Sequence, residues 1–331
     1  MVNKSLLIIG LVLIAGVSGI IIALSNSQGS EEKLSVIRIG SDAGSYLKFI
    51  LFEQKGWMDE EFAKDGIKVE YYTFAGGAAA QVALASGSLD FAYTGSNPSL
   101  RTAAAGADTK LIAIASFGNP VGGSSIIVRN DSAIKSVKDL KGKKVGYLTG
   151  TGRHSSLEKA LNSEGMSTLQ DIESINLDFA NSGPALIRGD IDALAEGEST
   201  TFPLTSTGQA RAIWKGKDHP EIKSAPSAVT VRGDFAKKHP DIVKRFLKID
   251  LKAAQWADEN PDETIKIYSN STKQAEKVIR MKYPANITTF YLNPRITDET
   301  IQSLKSEVEF LRTNKLLDGE LNIDSWVLRV S

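Results

Sequence analysis

From residue 34 onward the sequence repeats one unit: a short apolar run, a turn of small residues, then a stretch with helical spacing. Val36-Ile37-Arg38-Ile39-Gly40 reads as a strand running into a turn, and residues 46–55 as a helix closed by Gly56. Residues 68–74 alternate as a strand, and Gly76-Gly77 breaks it before an alanine-rich helix over 78–85. Residues 89–94 form the next strand. Asn97-Pro98 then opens a helix, with Asn as cap and Pro in the first turn, and 111–116 is again a strand. Such strand–turn–helix repetition predicts an α/β fold on a largely parallel sheet.

A second block begins near residue 124. It offers strands at 125–129, 144–149 and 193–195 and helices at 137–140, 155–163 and 184–188. Residues 227–231 read as a strand that returns the chain to the first block. His239-Pro240 then opens a long helix whose apolar positions Val243, Phe246, Leu247, Leu251 and Ala254 share one face. Ile301, Leu304, Val308 and Leu311 mark a further amphipathic helix near the end. At roughly 150 residues per domain, 331 residues leave room for two globular units.

Composition removes several function classes. Lys plus Arg and Asp plus Glu are both 39, so the chain lacks the positive excess that nucleic-acid binding needs. There is no cysteine, which excludes disulfides, thiolate metal sites, cysteine nucleophiles and a lipid-modified cysteine. Three scattered histidines, His154, His219 and His239, do not make a metal site, and no cofactor motif is present. Met1 to Lys4 supplies one positive side chain, and residues 6–24 carry no charge. Residues 1–25 therefore read as a signal peptide or a membrane anchor, and 26–33 as a polar tether. Either places the rest of the chain outside the cytoplasmic membrane.

Four strand-to-helix turns are candidate ligand loops: 41–45, 75–78, 94–97 and 149–156. In an open α/β sheet ligands sit beyond the carboxyl ends of strands, where helix N-termini present free N–H groups to an anion. Gly150-Thr151-Gly152-Arg153-His154-Ser155-Ser156 is the richest of them, with glycine amides, hydroxyls, a guanidinium and an imidazole. It lacks the lysine of a phosphate-binding loop. Glu196 and Glu198 form a spaced pair of acids that would repel a bare anion if either faced a ligand. No serine-nucleophile elbow, zinc-protease helix or cysteine–histidine pair is present.

The run Gly87-Ser88-Leu89-Asp90-Phe91-Ala92-Tyr93-Thr94-Gly95-Ser96-Asn97-Pro98 resembles the substrate-binding proteins of ABC importers for aliphatic sulfonates, taurine and nitrate, with Ser96 where that pattern has an acid. The stretch 131–145, the 150–156 loop, Gly189-Asp190-Ile191-Asp192-Ala193 and 235–241 match in the same order, so the resemblance spans about residues 36–327. It implies a two-lobed periplasmic-binding-protein-like fold with a hinge and an interlobe ligand cleft. Lobe one is then expected at 34–122 plus 230–331, and lobe two at 123–229. Carried onto this chain, the ligand turns are Ser41 and Ala43; Gly76 and Gly77; Gly95 and Ser96; and Thr151, His154 and Ser155.

Two departures stand out. Arg153 occupies a position where the family often has serine, and Leu194-Ala195-Glu196-Gly197-Glu198 replaces a run that contains tryptophan. Arg153, Glu196 and Glu198 therefore join the candidate ligand-binding residues. The expected function is an extracytoplasmic binding protein that delivers a small oxyanion or zwitterion to an ABC permease and its ATPase, not an enzyme. The alternatives are a sensor-type ligand-presenting domain and, from another class, an enzyme similar to pyrimidine-precursor synthases.

Overall fold

Alternating half-buried and buried side chains make Val36–Asp42 the first strand, β1. A computed structural model describes residues 34–42, 46–117, 123–219, 222, 225–283 and 294–330. The chain continues through α1 (Leu47–Lys55), α2 (Trp57–Ala63), β2 (Lys68–Phe74), α3 (Gly77–Ala85), β3 (Phe91–Gly95), α4 (Ser96–Ala104) and β4 (Thr109–Ser116). Gly56, at φ 68°, ends α1 in the left-handed conformation that glycine adopts without strain. The next block is β5 (Ser124–Arg129), β6 (Lys144–Tyr147), α5 (Gly152–Asn162), β7 (Glu173–Asn176), α6 (Phe179–Arg188), β8 (Ala193–Gly197), α7 (Glu198–Ser206) and β9 (Ala210–Lys215). The last is β10 (Ser227–Arg232), α8 (Gly233–Lys238), α9 (Pro240–Glu259), α10 (Pro261–Thr272), α11 (Glu276–Lys282), α12 (Asp298–Thr313) and α13 (Ile323–Trp326).

Among the described residues the strands form two five-stranded sheets, ordered β2-β1-β3-β10-β4 and β7-β6-β8-β5-β9. Each is the base of one α/β lobe. In each sheet one strand runs against the others: β10 between β3 and β4, and β5 between β8 and β9. These are the strands the chain enters straight after crossing from one sheet to the other. The sheets are thus parallel except at the strand that records a crossing. β10 pairs in the first sheet from Ser227 onward, so the expected division at 229/230 falls inside a strand, and residues 227–229 go with the first sheet.

The lobes have different cores. Beside an aliphatic cluster of Leu100, Leu111, Ile114, Ile301 and Leu304, the first packs an aromatic one: Phe91 stacks on Phe246 at 4.1 Å, and Phe49 and Phe52 each lie 5.8 Å from Tyr93. The second is mainly aliphatic, with Ile126, Val128, Leu140, Val145, Leu157 and Leu161 buried together with Tyr147 and Trp214. Helix α9 buries Val243, Phe246 and Ala254 as expected, but the face is shifted: Ile249, Asp250 and Ala253 are also buried, Leu247 is half-buried and Leu251 is 42% exposed. The cause is Asp250, whose carboxylate accepts from Lys48 Nζ at 2.7 Å and from the Tyr93 hydroxyl at 2.5 Å, with all three side chains fully buried. Burial pushes the Lys48 ammonium below its usual range and the Tyr93 phenol well above its own. No described helix is long and apolar enough to cross a membrane. The apolar run 6–24 lies outside the described residues.

Candidate functional site

Helices α3, α4, α5 and α7 begin around one cavity of about 280 Å³ between the two sheets. Gly77 opens α3, Gly95 and Ser96 open α4, Thr151 and Gly152 open α5, and Gly197 and Glu198 open α7. Each helix follows the carboxyl end of a strand or its turn, as the α/β connection dictates. None of their cap residues (Gly76, Gly95, Thr151, Gly197) bonds its own helix through a side chain. Asp178, Thr297 and Asn322 do cap α6, α12 and α13, whereas α1, α2, α8, α9, α10 and α11 also start without a side-chain cap, so it is the convergence on one cavity that sets the four apart. The uncapped starts direct first-turn amides and positive helix ends toward the cleft. Gly77 permits the convergence: a Cβ there would stand 2.9 Å from Pro98 Cγ and 3.1 Å from Asp42 Oδ2.

The charged groups stand mainly on the second-lobe wall. Arg153 Nε donates to Glu196 Oε2 at 3.0 Å, and the guanidinium lies 4.3 Å over the Phe179 ring. Its two Nη groups make no hydrogen bond to the described residues. Glu196 Oε2 also accepts the Gly197 N–H at 2.8 Å. Glu196 is 1% exposed, and its Oε1 has no hydrogen-bond partner among the described residues. Glu198 lines the same wall, and Asp42 faces it from the first lobe, where the Tyr46 hydroxyl donates to it at 3.4 Å. The described lining thus combines one guanidinium with three carboxylates. A ligand's anionic end has Arg153 and helix amides to meet, and any cationic end has the acids.

Of the residues expected from sequence, Gly77, Gly95, Ser96, Thr151, Arg153, Glu196 and Glu198 line this cleft. Ala43 lies outside the described residues. Four others are placed elsewhere. Ser41 is buried and donates to the Asp42 carbonyl at 3.1 Å, and Gly76 sits one residue behind the lining. His154 is in the interior, stacked on Tyr147 at 4.6 Å and edge-on to Phe310 at 5.0 Å. Its Nδ1 accepts the Gly150 N–H at 3.3 Å, which leaves Nε2 as the protonated nitrogen facing Thr168 Oγ1 at 3.1 Å. Desolvation pushes its pKa down to about 4. Ser155 is 1% exposed and donates to Glu307 Oε1 at 2.9 Å. The reason is helical geometry: at about 100° per residue, Arg153 and Ser156 share the cleft face while His154 and Ser155 turn behind it.

Sequence reasoning missed Asp42, Tyr46, Ser116, Phe179, Ser227 and Tyr283, which also line the cleft. Phe179 carried a usable signal, since Asp178 caps a helix straight after an apolar-alternating run. It supplies the aromatic surface that the 194–198 run lacks. Tyr283 comes from a distant part of the chain and carried none.

Two α/β lobes, each with one reversed strand, around a cleft walled by helix starts define the two-lobed periplasmic-binding-protein class. The chain belongs to the NMT1/THI5-like family, whose model matches residues 45–264. A Bacillus subtilis (strain 168) protein named for aliphatic sulfonate binding is 30% identical over 303 residues, covering 90% of this chain and 87% of its own. The alkanesulfonate-binding protein SsuA from Xanthomonas axonopodis pv. citri, solved bound to MOPS, shares the fold at a TM-score of 0.78 and 22% identity, over 90% of this chain and 99% of that one. The same fold carries an enzyme: the desulfurization protein DszB, as a C27S mutant with biphenyl-2-sulfinic acid, has a TM-score of 0.69 at 18% identity, over 89% of this chain and 97% of its own.

Proposed function

We propose that this protein is an extracytoplasmic solute-binding protein that captures a small sulfonate-type oxyanion or zwitterion and delivers it to an ABC permease and its ATPase. The observation that carries this reading is the convergence of four uncapped helix starts on a cleft holding Arg153, whose Nη groups are unengaged by described residues. Charge-assisted hydrogen bonds from such a guanidinium contribute about 1.5–3 kcal/mol, and helix amides add to them. The relative named for sulfonate binding supports the ligand class, and residues 1–25, as signal or anchor, support the location. The lobes, expected at 34–122 plus 230–331 and 123–229 and here taken with 227–229 moved to the first, close on the ligand by hinge motion, with the ligand favouring the closed arrangement through contacts to both.

Binding rather than catalysis is the reading the site favours. The described lining contains no histidine or lysine, and His154, the imidazole nearest in sequence, is committed to Gly150 and Thr168 behind the wall. A thermal-shift series over alkanesulfonates, taurine, nitrate, bicarbonate, phosphonates and small carboxylates tests the function. A true ligand at about a hundred times its dissociation constant stabilises the protein by about 2.7 kcal/mol. Silence from every small anion, with a response to a peptide or oligosaccharide, would sink the proposal. Protease digestion of wall-stripped cells tests location, and protection until lysis would refute it.

A further inference from the structure

Helix α5 has two faces with separate partners. One lines the cleft through Gly152, Arg153 and Ser156. The other rests on α12, which belongs to the opposite lobe: Ile301, Leu304 and Leu311 share a core with Leu100, Leu111 and Ile114 of the first sheet and α4. Across this contact Ser155 Oγ donates to Glu307 Oε1 at 2.9 Å, and Lys159 Nζ reaches the same oxygen at 2.7 Å. The His154 ring meets Phe310 at 5.0 Å beside them. The helix whose first turn faces the ligand is therefore tied, one turn later, to the other lobe.

The chemistry of Glu307 makes this tie conditional. It is 1% exposed, its Oε1 takes both donors from α5, and its Oε2 has no hydrogen-bond partner among the described residues. A buried carboxylate is tolerated while its cation and donor stay in place, and costs stability once they leave unless water replaces them. Separation of α5 from α12 admits that water and satisfies Oε2. The contact thus favours the arrangement described here while leaving the open one within reach.

We propose that the Glu307–Ser155–Lys159 contact is an interlobe latch that biases the ligand-free protein toward approach of the two lobes and so raises ligand affinity without touching the ligand. A ligand that binds only the closed arrangement has its apparent affinity scaled by the fraction of molecules already closed. Glu307 and Lys159 act through that fraction. The ligand-free part of this proposal is independent of the sulfonate reading; the affinity part rests on it.

The absence of cysteine makes the test direct. Val82→Cys on α3 and Ile187→Cys on α6, both exposed and on opposite lobes, accept one spin label each for pulsed-dipolar distance measurement. In this labelled background Glu307→Gln and Lys159→Met should each lengthen the ligand-free distance. Saturating ethanesulfonate should restore it, and the dissociation constant for ethanesulfonate should rise about fivefold. Lys159→Met removes a partly exposed side chain and keeps the test available if Glu307→Gln folds poorly. An unchanged or shorter ligand-free distance in the folded variants overturns the latch, whatever happens to the melting temperature. Failure of ethanesulfonate to bind the unsubstituted protein would count against the sulfonate reading, while the ligand-free distance still judges the latch.

Discussion

The two walls of the cleft are built on the same plan and furnished differently. On the first-lobe side Gly77, Gly95, Ser96, Ser116 and Ser227 present backbone and hydroxyls beside the rings of Tyr46, Phe117 and Tyr283 and a single carboxylate, Asp42. Behind it stand an aromatic core and the fully buried Lys48–Asp250–Tyr93 group. On the second-lobe side Arg153, Phe179 and Glu198 line the space, with the buried Glu196 held against Arg153, and a mainly aliphatic core lies behind. The first wall sets shape with backbone and rings and carries one carboxylate; the other carries the guanidinium and two carboxylates, so most of the charge rests on side chains that substitution can exchange. A fold divided in this way can change its ligand by altering one lobe.

The largest expected effect tests whether the first wall is rigid because of what lies behind it. Asp250→Ala leaves Tyr93 without its buried acceptor and Lys48 with only the Ile114 carbonyl and no counter-charge, and should cost about 3–5 kcal/mol in urea unfolding. Replacing the pair together, Lys48→Met with Asp250→Leu, should recover most of that. A loss under about 1 kcal/mol for Asp250→Ala would show that the group contributes nothing to the contrast between lobes.

Next in size is a pH effect confined to the second lobe. His154 titrates at about 4 in the folded protein against 6.5 for an unperturbed group. Between those values the unfolded chain holds the extra proton, so stability falls as pH drops through this window and the loss is complete near the folded value. The full span is about 3 kcal/mol at 1.36 kcal/mol per unit. The fall in unfolding free energy from pH 7 to 4 should be larger by about this amount in the wild-type chain than in His154→Gln. Parallel curves would remove His154 from the account.

Binding effects are smaller and compare the walls directly. Arg153→Ala should weaken binding of a small sulfonate at least about tenfold by calorimetry. Ser96→Ala, which removes one hydroxyl from the shape-setting wall, should cost about threefold or less. The reverse order would break the division of labour. The smallest effect concerns the acids. Taurine should be preferred to ethanesulfonate, and Glu196→Gln or Glu198→Gln should shrink that preference by about threefold, because Arg153 already offsets part of the Glu196 charge. Equal binding of both ligands by all three proteins would leave the acids without a role in selection.

Much of the fold was legible because strand–turn–helix units carry local punctuation. The helix closed by Gly56 and the strand at 68–74 are where spacing puts them. Helices α2 and α7 were not legible: only Gly56 separates α2 from α1, and Pro203 inside α7 argues locally against a helix. The inward face of α9 was read correctly at Val243, Phe246 and Ala254 but not at Asp250, which looks like a solvent residue until Lys48, distant in sequence, supplies its partner. At the site, glycines and hydroxyls in turns were found, since backbone approach has a local signature. The turning of His154 and Ser155 away from Arg153 was missed, because a run of neighbours was read as one surface when a helix distributes it around an axis. Phe179 had a local cap signal and Asp42 lay inside the 41–45 turn, but bringing them to one cleft required knowing which turns meet across it, which a single sequence does not encode locally.

The reversed strand β10 also governs the order in which this protein can be finished. Thr230 bonds to Ala92, a partner 138 positions earlier, and the strand lies between β3 and β4, which are made long before it. Until residue 232 has been delivered, both of those strands present bare edges to one another across a vacant slot. Pairing between such distant segments is slow, because the intervening chain must first be drawn in. Exposed edges invite other chains meanwhile. The second sheet has no such wait, since β5 to β9 arrive as one uninterrupted segment. A polypeptide threaded from its N-terminus would therefore complete its later-made half first and hold the earlier half open for it.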